Sequence, residues 1–355
     1  MSVKPNSRRL VLLVLFWGGV ASDLRAEFRT WTSQSGSQVE AEWTGEEGDQ
    51  VLLRKADGKI LGIAFSALSE ADQEFVRRQC APVAETTTPA NPPPASGSPN
   101  ALVLGGVEIT PGQLIRFHAP LPTEAIRALD KEHNTVVTNA KVGIAVPPGF
   151  DPSKSWNLIV ISSTEDLNSL SIGHAGQYMD AIIGRNWVVM AADGPNDDAP
   201  IRVSNTWRWS LIRAGLEELH RQWPGSRNWN YATGGFSGGA KFSGYMAALL
   251  AASGYKVIGM FMGGCNEDMA TRGVNDYKPS RWTFLKVPIF LSNGENDPIA
   301  PVSYGPRVRD SMNKGGFKEI RVETCPGGHD PYPEHMRQAL AWFEEIEAQR
   351  TDGRP

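Results

Sequence analysis

The run Gly235-Phe236-Ser237-Gly238-Gly239 sets a serine between glycines two residues before and two after it. A serine hydroxyl is a poor nucleophile until a base takes its proton. The flanking segments say where this serine stands: Trp229 to Thr233 reads as a strand and Ala240 to Ala252 as a helix. A sharp strand-to-helix turn crowds its own backbone, and glycines at those two positions relieve the crowding. The turn lifts the hydroxyl above the sheet. It also aims the Gly238 N–H, at a helix N-terminus, at negative charge developing on a substrate oxygen. The chemistry predicted for Ser237 is therefore nucleophilic attack on a carbonyl.

A base must come from elsewhere in the chain. Of six histidines, His329 is the one on a glycine-rich loop, Cys325-Pro326-Gly327-Gly328-His329-Asp330, between the last predicted strand and the last predicted helix. His118, His133, His174, His220 and His335 lie in segments less suited to the role, His220 within a helix and His335 near the start of another. An imidazole in this role needs an acid to set its tautomer and stabilise its charged form. Asn293-Gly294-Glu295-Asn296-Asp297-Pro298 follows a predicted strand and offers Asp297, with Glu295 as the competing carboxylate. A second main-chain donor for an oxyanion is expected from Ser163 or Thr164, just past the strand Leu158 to Ile161.

These side chains are far apart in sequence, so a sheet must bring them to one rim. Lys141 to Val146, Leu158 to Ile161, Trp187 to Ala191, Trp229 to Thr233, Val257 to Met262, Pro288 to Leu291 and Ile320 to Glu323 read as strands. Helices are expected over His174 to Ile183, Arg208 to Trp223, Ala240 to Ala252 and Glu334 to Gln349. Strand alternating with helix predicts an α/β fold, a mostly parallel sheet flanked by helices. Gly263-Gly264-Cys265-Asn266-Glu267-Asp268 reads as a pocket wall or a plain turn. Trp207 and Trp209 either line a subsite or pack in the core, where most tryptophans go.

Thr233-Gly234-Gly235-Phe236-Ser237-Gly238-Gly239-Ala240, Gly294-Glu295-Asn296-Asp297-Pro298-Ile299-Ala300-Pro301 and Gly327-Gly328-His329 together resemble the α/β-hydrolase superfamily. They are most similar to its esterase branch, near the polyhydroxybutyrate-depolymerase-like and feruloyl-esterase-like enzymes. The resemblance implies acyl transfer through Ser237, Asp297 and His329 without metal or organic cofactor, on a small-molecule or polymeric ester. The order Ser, Asp, His along the chain is the one that fold uses. One departure stands out. The branch carries His-Gly after the strand matching Leu158 to Ile161, where this chain has Ser162-Ser163-Thr164-Glu165. Loss of one oxyanion donor costs about 3 kcal/mol of transition-state stabilisation.

The rest of the chain reads as appended parts. Lys4, Arg8 and Arg9 followed by the apolar run Leu10 to Val20 predict a signal peptide over 1–26 and a secreted or periplasmic protein. That run is too short to span a bilayer, and no membrane span is expected after cleavage. Residues 27–80 read as a small β module: strands at Gln38 to Trp43, Val51 to Lys55 and Ile60 to Phe65, a turn at Ala56-Asp57-Gly58-Lys59, and a helix from Glu70 to Gln79 capped by Ser69 with Asp72. Phe28-Arg29-Thr30-Trp31-Thr32, Lys55-Ala56-Asp57-Gly58-Lys59 and Leu68-Ser69-Glu70-Ala71-Asp72-Gln73 resemble the SLA-one homology domain family. That resemblance implies an SH3-like fold and a protein or surface partner; a spacer without a partner is the alternative. Residues 81–100, rich in Pro, Thr, Ser and Ala, read as a stiff linker to the domain over 101–355.

Composition narrows the rest. A net charge of -4 gives no electrostatic reason to expect nucleic acid. Three cysteines, with no CxxC, cannot all pair within the chain; Cys265 and Cys325 either bond to each other or stay as buried thiols. Three functions fit: a secreted serine esterase, an exported binding or scaffold protein with an inactive hydrolase domain, and a peptidase of the same fold.

Overall fold

The computed structural model describes residues 29–47, 50–55, 59–80, 102–164, 170–195 and 204–351. The expected signal peptide, the turn residues Ala56 to Gly58, the linker over 81–100 and Glu165 lie outside the described residues. The chain divides into two compact units, 1–81 and 82–355.

The first unit pairs four antiparallel strands in chain order, β1 (Arg29–Thr32), β2 (Gln38–Glu47), β3 (Gln50–Lys55) and β4 (Ile60–Ala64), followed by helix α1 (Glu70–Cys80). Trp31, Ala41, Val51, Leu53, Leu68 and Val76 form its core. The Ser69 hydroxyl accepts the Asp72 N–H at 3.3 Å, as expected of a cap. The Asp72 carboxylate does more than cap. It accepts from the Thr32 N–H at 2.8 Å and from Arg29 at 2.6 Å, and so ties the helix to the first strand.

In the second unit a short hairpin, β5 (Val103–Leu104) and β6 (Val107–Glu108), precedes β7 (Ile115–Pro120) and α2 (Thr123–His133). Then come β8 (Asn139–Ala145), β9 (Asn157–Ser162), α3 (Leu170–Ile183), β10 (Trp187–Asp193), α4 (Asn205–Gln222), β11 (Asn230–Phe236) and α5 (Gly238–Ala252). The chain closes through β12 (Lys256–Gly263), α6 (Ala270–Tyr277), α7 (Arg281–Phe284), β13 (Ile289–Gly294), α8 (Tyr304–Gly315), β14 (Ile320–Cys325) and α9 (Pro333–Thr351). Eight strands form one sheet in the order β14-β13-β12-β11-β9-β10-β8-β7, in which β8 runs antiparallel to both its neighbours and the pairs from β10 to β14 are parallel. The swap of β9 and β10 in that order, with β8 reversed, is the α/β-hydrolase fold.

Alternation along the central strands shows why they are apolar throughout. Leu158 and Val160 of β9 face a core shared with α4 and α5, while Ile159 and Ile161 face one shared with α3 and α9. A strand covered on both faces has no polar side to show. Several elements, β7, α2 and α8 among them, have no counterpart in the sequence reading. The strand β7 alternates buried Phe117 and Ala119 with exposed Arg116 and His118, a pattern short enough to pass for loop. Helix α2 follows Pro122, and α8 carries Pro306 in its first turn and ends at Gly315 and Gly316, so breaker residues hide both.

The swap of β9 and β10 has a geometric result. The chain leaves β9 for β10 on one side, then returns past β9 to β11 on the other. Loops after β9 and β11 thus leave the carboxyl edge of the sheet side by side, in contact where the Gly238 N–H meets the Thr164 hydroxyl.

Below that edge, His220 of α4 is buried between the Ser226 hydroxyl, 2.7 Å from Nδ1, and the Tyr255 hydroxyl, 2.9 Å from Nε2. Burial, with Arg227 nearby, pushes its pKa down from 6.5 to about 4. The unfolded chain therefore takes up this proton first. Its contribution to stability is complete above pH 6.5 and shrinks as pH falls toward 4, by up to about 3 kcal/mol. Burial pushes His174 and His335 the same way. Denaturant melts at pH 7 and pH 4.5 should show a marked loss at the lower pH, and the loss should be smaller in His220→Gln.

Candidate active site

Strand β11 stops at Phe236 and α5 starts at Gly238, so Ser237 alone makes the turn. Its backbone sits at φ 56° and ψ -118°, a region L residues rarely visit. The Ser237 N–H donates to the Gly263 carbonyl at 2.8 Å. The glycines on either side have a defined reason. A Cβ on Gly235 would lie 2.4 Å from the Ser162 carbonyl oxygen, and one on Gly239 would lie 2.0 Å from the same atom. The end of β9 is pressed into the turn.

The structure brings the three residues singled out in the sequence together. His329 Nε2 is 2.9 Å from Ser237 Oγ, and Nδ1 is 2.7 Å from Asp297 Oδ2. A carboxylate only accepts, so Nδ1 carries the proton and Nε2 is left to receive one from the serine. The imidazole packs on the Phe236 ring, with centroids 4.7 Å apart. The acid is buried, and its other oxygen accepts the N–H groups of Ile299 and Ala300, each at 2.8 Å. Burial alone would raise the Asp297 carboxyl. The Ala300 N–H, the His329 imidazole and the Ile299 N–H outweigh it and hold the pKa below the ordinary range. Glu295, the competing carboxylate, is exposed, and His329 pairs with Asp297. Asn293 straps the acid loop in place by donating to the Ala300 carbonyl at 2.9 Å and the Cys265 carbonyl at 3.2 Å.

Around the expected oxyanion site the two candidate loop amides, Ser163 and Thr164, are placed differently. The Ser163 N–H donates to the Ser171 hydroxyl at 3.0 Å, which turns it toward the start of α3 and away from the donor role considered for it. Ser171 and Ile172 in turn donate their N–H groups to the buried Asp193 at 3.1 and 2.9 Å, so a carboxylate at the end of β10 caps α3. Thr164 stands directly over the turn. The Gly238 N–H donates to its hydroxyl at 3.2 Å, and a Cβ on Gly238 would come within 2.9 Å of the Thr164 Cα. Glycine at 238 is thus the counterpart of a side chain at 164. Behind this loop the buried Arg208 of α4 donates to the Ser163 carbonyl at 2.7 Å and to the Thr164 carbonyl at 2.6 Å.

Arg208, Ser171, Asp193 and Asn293 have roles that the sequence reading does not assign. Asp193 had a visible signal, standing at the end of a predicted strand before Gly194. Arg208 had none, since a buried arginine looks like any other helical arginine in sequence. Trp207 lies in the core with Leu211 and Leu216, and Trp209 packs against the same cluster, so core packing is what both do. Cys265 and Cys325 are both buried and unpaired. Burial raises both thiols, Cys265 to about 11. The Gly263 to Asp268 loop does reach the rim, where Gly264 lies beside Phe236 and His329. Among the described residues no group of three or more His, Cys, Asp or Glu is placed to hold a metal ion.

Comparison with known proteins gives two kinds of likeness. Residues 23–82 match the family SLA1 homology domain 1. An acyl-protein thioesterase 1 from Debaryomyces hansenii is 30% identical over 119 residues, 32% of this chain and 47% of that relative, so the chain spans about half the relative's length. Among solved structures, a thermostable esterase covers 65% of this chain and 62% of its own at 15% identity and a TM-score of 0.44. An α/β serine hydrolase from Xanthomonas campestris covers 70% and 98% at 15% identity and 0.40, and an esterase from Pyrococcus furiosus covers 66% and 92% at 13% and 0.43.

The tight seat of Ser162 against the turn makes a specific demand. Gly239→Ala should destabilise the fold by about 3 kcal/mol through backbone displacement. A thermal melt of the variant at pH 7 reads the loss directly.

Proposed function

We propose that this α/β-hydrolase-fold chain, with an SLA1 homology domain 1 at its N-terminus, is an exported serine hydrolase of carboxylic esters. The observation that carries the reading is the unbroken line of hydrogen bonds from Ser237 Oγ through His329 to Asp297, on a turn that holds the hydroxyl above the sheet. The intact line argues against the scaffold alternative, because an inactive domain has no need of a strained serine facing a correctly protonated imidazole.

The steps follow from the protonation states. His329 Nε2 takes the proton of Ser237 as Oγ bonds to the ester carbonyl carbon, and the carbonyl π pair moves onto oxygen. The Gly238 N–H and the Thr164 N–H are the proposed donors to that oxyanion, the first at the N-terminus of α5 and released for it when the substrate oxygen displaces the Thr164 hydroxyl that accepts it at 3.2 Å. Collapse expels the alcohol, which takes the proton from His329 and leaves the acyl group on Ser237. Water, deprotonated by the same imidazole, attacks the acyl carbon; the second tetrahedral adduct returns the serine and releases the acid. Asp297 stays ionised throughout and stabilises the imidazolium. No step calls for a metal or organic cofactor.

Oxygen esters are the proposed substrates, small or polymeric. Thioesters are the second class to test, because the relative from Debaryomyces hansenii carries that activity in its name and both classes share the acyl-enzyme. The N-terminal module is proposed to dock the enzyme to a protein or surface. Export is proposed from the basic and apolar start of the chain, to the periplasm or beyond.

A panel of p-nitrophenyl esters, matched thioesters and peptide amides tests the reading, with a fluorophosphonate probe as an independent measure. Ester turnover should exceed amide turnover, and Ser237 should take the label. Ser237→Ala should lose activity by about 10⁴-fold or more, and Asp297→Asn by on the order of 10³-fold, with little change in fold. A folded wild-type protein that neither turns over an ester nor takes the label would return the scaffold reading; faster amide cleavage would make it a peptidase. Processing of the chain between residues 21 and 26, read by mass spectrometry of the mature protein, tests export.

A further inference from the structure

We propose that Arg208 is a positioning residue for the oxyanion site, a buried guanidinium that fixes the loop carrying Thr164. The proposal rests on the serine-hydrolase reading above. Arg208 is fully buried, on the first turns of α4, where the Ser204 hydroxyl caps the helix by accepting the Trp207 N–H at 3.1 Å. Its guanidinium lies over the Phe242 ring of α5, 3.7 Å from the centroid. A buried cation must be met by acceptors. Two of those it meets are successive carbonyls, Ser163 at 2.7 Å and Thr164 at 2.6 Å.

Successive carbonyls held by one fork fix two peptide planes. In a trans peptide the C=O and the following N–H point in opposite directions. Drawing the Ser163 carbonyl onto Arg208 therefore turns the Thr164 N–H away from the guanidinium. Thr164 borders the turn, since its hydroxyl receives the Gly238 N–H at 3.2 Å. The neighbouring Ser163 N–H is tied to Ser171, so the loop cannot swivel to offer that donor instead. A cation on the carbonyl also polarises the peptide and strengthens its N–H as a donor. Lysine cannot reproduce this, because an ammonium is a point charge without the planar fork that engages two acceptors at once.

Arg208→Lys and Arg208→Met test the role against Arg221→Gln. The control removes the ion pair of the buried Glu218 at the far end of the same helix and so costs stability without touching the loop. Each protein is assayed for kcat and KM on p-nitrophenyl acetate, for inhibition by a trifluoromethyl ketone whose adduct carries an oxyanion, and for melting temperature. Arg208→Lys should lower kcat and ketone affinity in parallel, each by about 100-fold, with KM within about 2-fold of wild type. Arg221→Gln should melt lower with kcat and ketone affinity unchanged. Ketone affinity in folded Arg208→Lys equal to that of wild type overturns the proposal, as does a kcat loss that the control shares. If neither Arg208 variant folds, Phe242→Leu, which removes the ring over the guanidinium, is read the same way, and unchanged ketone affinity there overturns it. A wild-type protein without ester turnover or ketone binding instead overturns the hydrolase reading itself.

Discussion

The backbone of Ser237 is the constraint around which the second unit is arranged. A non-glycine residue at φ 56° and ψ -118° costs on the order of 1–3 kcal/mol and persists only where its surroundings leave no alternative. Those surroundings are specific. Strand β11 enters from one side, α5 leaves on the other, the Ser237 N–H is tied to Gly263 on β12, and the Ser162 carbonyl at the end of β9 fills the space a Cβ at 235 or 239 would need. Three adjacent strands thus converge on one residue. Strain at a single position is distributed over the stiffest part of the sheet, where both faces are covered.

The remaining parts of the rim are held by the same tactic on a smaller scale. Each catalytic candidate leans on a polar group that has no direct contact with Ser237. Asn293 holds the loop of Asp297, Asp193 caps the helix that follows Thr164, and the Ile299 and Ala300 amides fix the carboxylate. Loops that would otherwise drift are pinned to strand ends. This is how side chains separated by 92 residues, as Ser237 and His329 are, can hold a 2.9 Å contact.

What could be read in the sequence follows from what is local. Gly235, Ser237 and Gly239 announce a turn because crowding acts over five residues. The strands leading to Ser237, Asp297 and His329 announce themselves because burial on both faces leaves continuous apolar runs. Asp297 over Glu295 could be favoured but not decided, since the choice depends on which carboxylate the loop turns inward. Thr164 illustrates the limit. Its proximity to Gly238 depends on β9 and β11 being neighbours, a consequence of strand order that no local pattern encodes. Arg208 lies beyond that limit again, because its partners are carbonyls, and main-chain acceptors leave no trace in side-chain identity. Strand β7 shows only a short alternation, and its polar face resembles a loop.

The two buried thiols of the second unit have a bearing on how that unit reaches its folded form. Cys265 and Cys325 sit unbonded in the interior, so the unit owes none of its stability to a covalent cross-link. Its folded form is held by packing and polar contacts, Cys265 among the apolar side chains of β12, β13 and α5 and the Cys325 sulfur 3.9 Å from the Ser292 hydroxyl.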